Sequence, residues 1–94
     1  MYATVRRYQN AGALGDAMAA KSGEVQELIT GVPGFVSYAS SRDGDTVTSI
    51  TICNDKAGCD ESTRRAREWV KENVKAGISA PEVSGGPVFL NFGK

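Results

Sequence analysis

The chain has 94 residues, a formal net charge of zero, two cysteines and no histidine. The length suits one domain over residues 1–94, and the balanced charge argues against binding nucleic acid through its phosphates. Without histidine, a Ser/His triad and a histidine-ligated haem or zinc are excluded. No apolar stretch is long enough to cross a membrane and no signal peptide precedes the first strand-like residues, so we expect a cytoplasmic protein.

The first predicted element is a strand over residues 2–8, where β-branched and aromatic residues dominate. Its side chains alternate between two faces, with Ala3, Val5 and Arg7 on one and Tyr2, Thr4, Arg6 and Tyr8 on the other. The first set is small and apolar, so we expect helices to cover it. The second is aromatic and polar, as in a cavity or a wet surface. A helical period then predicts one helix over residues 13–30, with a kink where Ser22-Gly23 interrupts it.

A hairpin is predicted next, within residues 32–55. Asp43-Gly44-Asp45 is a turn signal that separates a strand beginning at Phe35 from a strand over residues 46–53. This second arm contains no charged residue. We therefore expect a central strand that is covered on both faces.

A second helix is predicted from Lys56 to Val74, with Asp55 as its N-cap. Its inward stripe includes Cys59, Ser62 and Trp69, and its charged residues form a solvated face. The last predicted strand covers residues 82–92 and is interrupted by Gly85-Gly86-Pro87, which suggests an edge with a bulge.

The resulting order β-α-β-β-α-β predicts an α+β, ferredoxin-like fold, with a four-stranded antiparallel sheet of order 4-1-3-2. Both helices would pack on one face of the sheet. The bare face would then carry Tyr2, Tyr8, Val47 and Cys53, with Phe89 as a further candidate. This is too much apolar surface to leave in water. We expect a second copy to cover it and to form a homodimer through the open sheet face.

The start of the second strand carries a family resemblance. Val32-Pro33-Gly34-Phe35-Val36-Ser37-Tyr38 resembles the Pro-Gly-Phe-x-x-Tyr segment of dimeric α/β-barrel proteins. The uncharged third strand, the Asn54-Asp55-Lys56-Ala57 passage and Glu68-Trp69 continue the resemblance over nearly the whole chain. The most similar named group is the antibiotic biosynthesis monooxygenase-like domains.

This resemblance implies an enzyme with no cofactor, metal or prosthetic group, which oxidises an electron-rich aromatic with O₂ and takes the electrons from the substrate. A first-strand Asn, a Trp on the second helix and a Tyr or His are often implicated in such proteins. Trp69 matches by element, whereas Thr4 or Arg6 stands in the region of the Asn. Because histidine is absent, the resemblance argues against haem degradation.

Six residues are candidates for binding a substrate, although no catalytic residue and no metal site is identified: Arg6, Tyr8, Tyr38, Ser49, Thr51 and Trp69. A buried charge is costly unless it is paired or used. The guanidinium of Arg6 therefore needs a ligand carboxylate or phenolate, or a carboxylate of a dimer partner. Trp69 is either a core residue or a stacking surface for an aromatic ligand. Tyr38 either packs the hairpin or offers a cavity hydroxyl.

Two functional hypotheses follow. The first is a cofactor-independent monooxygenase that acts on a small aromatic or polyketide-like substrate in the barrel cavity, and a solidly packed inner face would contradict it. The alternative is a non-catalytic, dimeric protein that binds a small ligand or takes part in a stress response. A lactone isomerase ranks last, because the candidate carboxylates all fall on predicted solvated faces.

Overall fold

One antiparallel sheet and a layer of three helices make up the fold. The computed structural model describes residues 1–75 and 77–93. Its elements are β1 (Tyr2–Tyr8), α1 (Gly12–Ala20), α2 (Ser22–Thr30), β2 (Phe35–Asp43), β3 (Thr46–Cys53), α3 (Lys56–Asn73) and β4 (Glu82–Pro87). The strand order is β2-β3-β1-β4, with β3 and β1 in the centre. The predicted ferredoxin-like arrangement is confirmed.

The predicted helix over residues 13–30 is in fact two helices, and the expected kink at Ser22-Gly23 is wrong. The break lies at Lys21, whose backbone is not helical (φ −119°, ψ 36°). Lys21 N–H still donates to Ala17 O, and Lys21 O accepts from Val25 N–H, each at 3.0 Å. One residue therefore ends α1 and begins α2. The apolar residues of both helices pack against the same core.

The prediction that the helices cover the face of Ala3, Val5 and Arg7 is wrong, because they cover the other face of the sheet. The side chains buried under the helices are Thr4, Arg6 and Tyr8 of β1 and Val47, Ser49, Thr51 and Cys53 of β3. Tyr8, Val47 and Cys53 remove more apolar area from water than Ala3 and Val5 could, which favours this orientation. Tyr8, Val47 and Cys53, which were predicted for the bare face, are therefore core residues, and Tyr2 is partly buried against the core.

The open face of the sheet is nevertheless apolar at its centre. The register places Val5 opposite Ile50 and Ala3 opposite Ile52, and Ala39 of β2 also pairs with Ile50. Ile50 is 42% exposed. The uncharged strand β3 thus has one face in the core and one apolar face uncovered in a single chain.

The last strand is shorter than predicted and ends at Pro87. Val88 N–H still donates to Met1 O at 2.9 Å, but residues 88–93 form no strand. We call these residues the C-terminal arm. Phe89 and Phe92 in the arm are 89% and 88% exposed. Phe89 therefore belongs to the arm and not to a sheet face.

Helix α3 begins as the sequence predicts. Asp55 is the N-cap, and its carboxylate accepts from Gly58 N–H at 2.9 Å. A Cβ at Gly58 would lie 2.8 Å from Pro33 O and 3.0 Å from Cys53 Cβ. The absence of a side chain at this position lets the first turn of α3 lie against the end of β3.

Gly58 and Gly23 are expected to respond in opposite ways to alanine. Gly58→Ala should lower the free energy of unfolding by about 1–3 kcal/mol, because the new methyl group meets backbone and core atoms. Gly23→Ala should raise it by about 0.5–1 kcal/mol, because nothing lies within 4 Å and alanine favours the helix. Urea denaturation of both variants measures the effect, and a Gly58→Ala protein as stable as Gly23→Ala would contradict the packing described.

Candidate functional site

Arg6 is the centre of the candidate site. It lies on β1, is 1% exposed, and its guanidinium is held by three hydroxyls. Nη1 donates to Ser62 Oγ and Thr63 Oγ1 at 3.1 Å, and Nη2 donates to Thr51 Oγ1 at 3.0 Å. All three acceptors are neutral. A buried cation usually pairs with a carboxylate, so this guanidinium keeps an uncompensated positive charge.

One donor of Arg6 is also left over. Among the described residues, its Nε–H has no acceptor, and no carboxylate forms an ion pair with it. A buried guanidinium with a spare donor is suited to an anionic or oxygen-rich ligand.

Helix α3 supplies two of the three acceptors, and the sequence prediction did not assign them to the site. Ser62 Oγ donates to Cys59 O at 2.7 Å, which leaves its lone pairs free for Arg6. Thr63 follows directly on the helix. The sequence did contain an indication for Ser62, because it lies within the apolar stripe of α3. A fully buried hydroxyl in such a stripe needs a polar partner.

Tyr8 lies two residues further along the same face of β1 and is buried. Burial raises the pKa of its phenol above the usual range, and the positive charge of Arg6 opposes part of that shift. The Tyr8 hydroxyl is therefore neutral near pH 7 and stands beside a cation as a potential hydrogen-bond donor.

Tyr38 and Ser49 extend the polar group across the sheet towards β2. Ser49 pairs with Arg6 across β1 and β3, and its Oγ lies 3.2 Å from Tyr38 Oη and 3.5 Å from Ser40 Oγ. Directly paired residues of neighbouring strands have Cβ atoms about 5 Å apart. Arg6, Tyr38 and Ser49 also line one small pocket together.

Trp69 is buried on the core side of α3 and already has a polar partner. Its Nε1–H donates to Glu24 Oε1 at 3.0 Å, which links α3 to α2. Trp69 also lines the pocket that contains Tyr8 and Tyr38. Because its N–H is already bonded to Glu24, the indole has no free donor to offer a ligand.

A pocket at the centre of the site brings together five of the six candidates: Arg6, Tyr8, Tyr38, Ser49 and Trp69. Thr51, the sixth, is an acceptor for Arg6. The pocket has a volume of about 30 Å³, which is the share of one water molecule in the liquid. No aromatic ring fits at this point, so a ligand has to lie beside it.

A larger cavity of about 470 Å³ adjoins this pocket between α1, α2 and β2, and we call it the aromatic cavity. Its apolar lining includes Met18, Val25, Ile29, Phe35 and Val47, and Tyr38 and Ser40 add hydroxyls. Volume and lining are in the range of small-molecule sites. Tyr38 lines both this cavity and the small pocket, so the open space lies on the helical side of the sheet and not on the bare face as predicted.

Arg42 ties one wall of the aromatic cavity to α1. Its Nη2 lies 2.9 Å from Asp16 Oδ1 and donates to Gly12 O at 3.2 Å. A Cβ at Gly15 would lie 2.8 Å from Arg42 Nε, so the glycine leaves room for the guanidinium to cross the helix.

The two cysteines are buried and free. Burial raises the pKa of the Cys53 thiol to about 11, and the neighbouring Cys59 adds to this effect. The thiolate is therefore scarce at neutral pH. Within the described residues, no group of three His, Cys, Asp or Glu side chains is placed to hold a metal ion. In the same part of the chain, no helix is long and apolar enough to span a bilayer.

Comparison with solved structures identifies the fold group. The cofactor-independent oxygenase SnoaB from Streptomyces nogalater superposes with a TM-score of 0.67 at 11% identity, covering 99% of this chain and 97% of SnoaB. The Streptomyces coelicolor monooxygenase from the gene ActVA-Orf6, solved with nanaomycin D, gives 0.63 at 18% identity, covering 99% and 92%. The chain therefore has the ferredoxin-like fold that these proteins share. Two further neighbours, from Chloroflexus aurantiacus and Bordetella bronchiseptica, are assigned as antibiotic biosynthesis monooxygenases.

A dimeric ferredoxin-like protein from an uncultured marine organism also superposes, with a TM-score of 0.70 at 11% identity, covering 99% of this chain and 98% of the neighbour. No family sequence model and no curated protein sequence matches the chain. The likeness therefore rests on structure and establishes the fold.

Substitution of Arg6 by methionine tests whether the guanidinium serves stability. Arg6→Met should leave the free energy of unfolding within about 1 kcal/mol of the parent or raise it, because an apolar side chain of similar length replaces a charge that has no ionic partner. Thr51→Val keeps the charge but removes an acceptor, and should lower the free energy of unfolding by about 1–3 kcal/mol. Urea denaturation measures both. A loss above about 3 kcal/mol in Arg6→Met would contradict the view that the charge is unpaired.

Proposed function

We propose that this protein binds a small phenolic aromatic molecule in the aromatic cavity and oxidises it with O₂, without a metal or prosthetic group. The observation that carries the proposal is the unpaired charge of Arg6, which shares a small pocket with the Tyr38 and Ser49 hydroxyls, next to an apolar cavity of ligand size. The cofactor-independent oxygenase among the structural neighbours supports the choice of reaction.

The ring of the ligand would lie against Met18, Val25 and Ile29, where apolar contact supplies most of the binding free energy. Its phenolic oxygen would reach the hydroxyls of Tyr38 and Ser49 at the inner end. Both hydroxyls can donate to an oxyanion or accept from a phenol. The same two groups therefore serve the neutral and the ionised ligand.

The charge of Arg6 would favour the ionised ligand. A cation near an acidic group lowers its pKa, and the effect is stronger where water is excluded. The described lining of the aromatic cavity contains no Asp or Glu, so we assign the loss of the phenolic proton to this electrostatic effect and to water.

The phenolate would supply the electrons for oxygen. One electron passes to O₂, and the phenoxyl radical and superoxide combine at the para carbon as a peroxide. Protonation of the peroxide, loss of the para C–H proton and cleavage of the O–O bond give a quinone and water. One oxygen atom enters the ring and the other leaves as water, so a phenol and O₂ balance a quinone and H₂O.

A non-catalytic ligand-binding role is the second candidate. The observation that favours it is that no histidine exists in the chain and no carboxylate lines the described part of the cavity, so no side chain there is an ordinary general base. Such a protein would bind the same phenols but release them unchanged.

We also propose that two chains associate through the open sheet face. Val5, Ile50 and Ile52 form an apolar patch on that face. The dimeric ferredoxin-like neighbour supports a second copy as the occupant. A two-fold axis would place identical patches against each other.

Oxygen consumption with 1-naphthol tests the catalytic proposal. We expect O₂ uptake to match the formation of 1,4-naphthoquinone and ¹⁸O from labelled O₂ to appear once in the product. Tyr38→Phe and Ser49→Ala should each lower kcat/KM about tenfold, because each removes a hydrogen bond to the reacting oxygen. Tyr2→Phe, outside the described lining of the aromatic cavity, is the matched control and should retain the parent rate.

Binding of 1-naphthol without O₂ uptake would instead support the non-catalytic role. The absence of any binding would refute both functions for this cavity.

The mass in solution tests the dimer. Ile50→Asp should convert a dimer into a monomer, because it introduces a charge at the centre of the paired face. Ala57→Asp, in the exposed first turn of α3, is the control and should remain dimeric. Light scattering after size-exclusion chromatography gives the mass, and a parent protein that is monomeric at micromolar concentration would contradict the interface.

A further inference from the structure

A second cavity lies between α3, β4 and residues 78–81, and its volume is about 300 Å³. Arg6, Tyr8 and Val70 line both this cavity and the small central pocket. The central pocket has a volume of only about 30 Å³, too small for an aromatic ring, so the second cavity is a separate compartment from the aromatic cavity. We call it the basic cavity.

Three cationic side chains line the basic cavity: Arg6, Arg67 and Lys71. Its described lining contains no Asp or Glu. Arg67 and Lys71 are four residues apart on α3, where like charges repel and destabilise a helix. Their placement at one cavity thus has an unfavourable electrostatic component that a bound anion would remove.

Neighbouring arginines of the same helix show the opposite arrangement. Arg64 pairs with Glu61 and Glu68, and Arg65 pairs with Glu61. Among the described residues, no carboxylate lies within ion-pair distance of Arg67 or Lys71. The charges of α3 are therefore compensated on its outer side and uncompensated at the cavity.

The buried member of this group adds a second, independent indication of a ligand. Arg6 is 1% exposed, has only neutral hydroxyl partners and has a spare Nε–H. The Tyr8 and Thr63 hydroxyls line the same cavity beside it. A cavity with three cations and several hydroxyls can provide a carboxylate with hydrogen bonds and charge together.

The other walls of the basic cavity indicate that the ligand also has an apolar part. Val70, Ile78, Pro81 and Val83 are apolar, and the volume is that of a small-molecule site at the lower end of the usual range. An inorganic anion would leave these walls in contact with water. We propose that the basic cavity binds a small aromatic carboxylic acid, with its carboxylate towards Arg6, Arg67 and Lys71 and its ring against the apolar walls.

Titration with benzoate in the absence of O₂ tests this site separately from the proposed oxidation, since benzoate carries no phenol to oxidise. We expect saturable amide shifts in Val70, Ile78 and Val83 by NMR. Benzamide, the neutral analogue of similar shape, should bind at least about tenfold more weakly, because it lacks the charge. Added salt should weaken benzoate binding.

Surface variants locate the site without disturbing the core. Arg67→Gln and Lys71→Gln should each weaken benzoate about 3- to 10-fold, because both residues are exposed on α3 and supply charge to the cavity. Arg64→Gln removes the same charge from the same helix outside the cavity and should change the affinity less than about twofold.

Three results would overturn the inference. They are the absence of saturation by benzoate, equal binding of benzamide, and affinity unchanged by the Arg67 and Lys71 variants. Tighter binding of inorganic phosphate than of benzoate would also refute an aromatic acid as the ligand. Benzoate binding that persists while 1-naphthol neither binds nor consumes O₂ would support this site and refute the proposed function.

Discussion

The site is organised around a guanidinium that is buried without an ionic partner. Arg6 lies on a central strand between the helices and the sheet, and Thr51, Ser62 and Thr63 supply its acceptors. Removing a charge from water is costly, and neutral hydroxyls compensate it less well than a carboxylate would. Such an arrangement is poorly explained by stability alone. It is typical of a position where a bound ligand provides the negative charge that the protein does not.

The surrounding packing follows from that constraint. The helical face of the sheet must accept hydroxyls at Ser49 and Thr51 where apolar residues would pack more favourably. It also leaves open space near Arg6: the basic cavity, which Arg6 lines, and the aromatic cavity, which adjoins the small pocket of Arg6. Charge and space thus occur together on one face of the sheet, while the other face has Ile50 at its centre. The proposed ligand binding and the proposed association between chains would therefore use opposite faces of the sheet.

The sequence predicted the topology well and the sheet faces poorly. Asp55 as N-cap and the uncharged third strand were readable because their signals are local. The faces were not, because neither face of β1 or β3 carries an alternating charge pattern, and Arg6 and Arg7 are adjacent. The choice depends on hydroxyls of α3 that only the fold brings to Arg6. The break at Lys21 was also missed, since the apolar period continues across it and both helices pack on one core.

Structural neighbours share the ferredoxin-like fold of this chain, but the chemistry proposed here depends on Arg6. The most direct test is the acidity of a bound phenol that cannot be oxidised at the para carbon. The absorbance of 4-nitrophenol, titrated with pH at saturating protein, reports the pKa of the bound probe. The account predicts a phenol at least about tenfold more acidic than in water, with the shift lost in Arg6→Met. A pKa of the probe that is unchanged or raised on binding would contradict it.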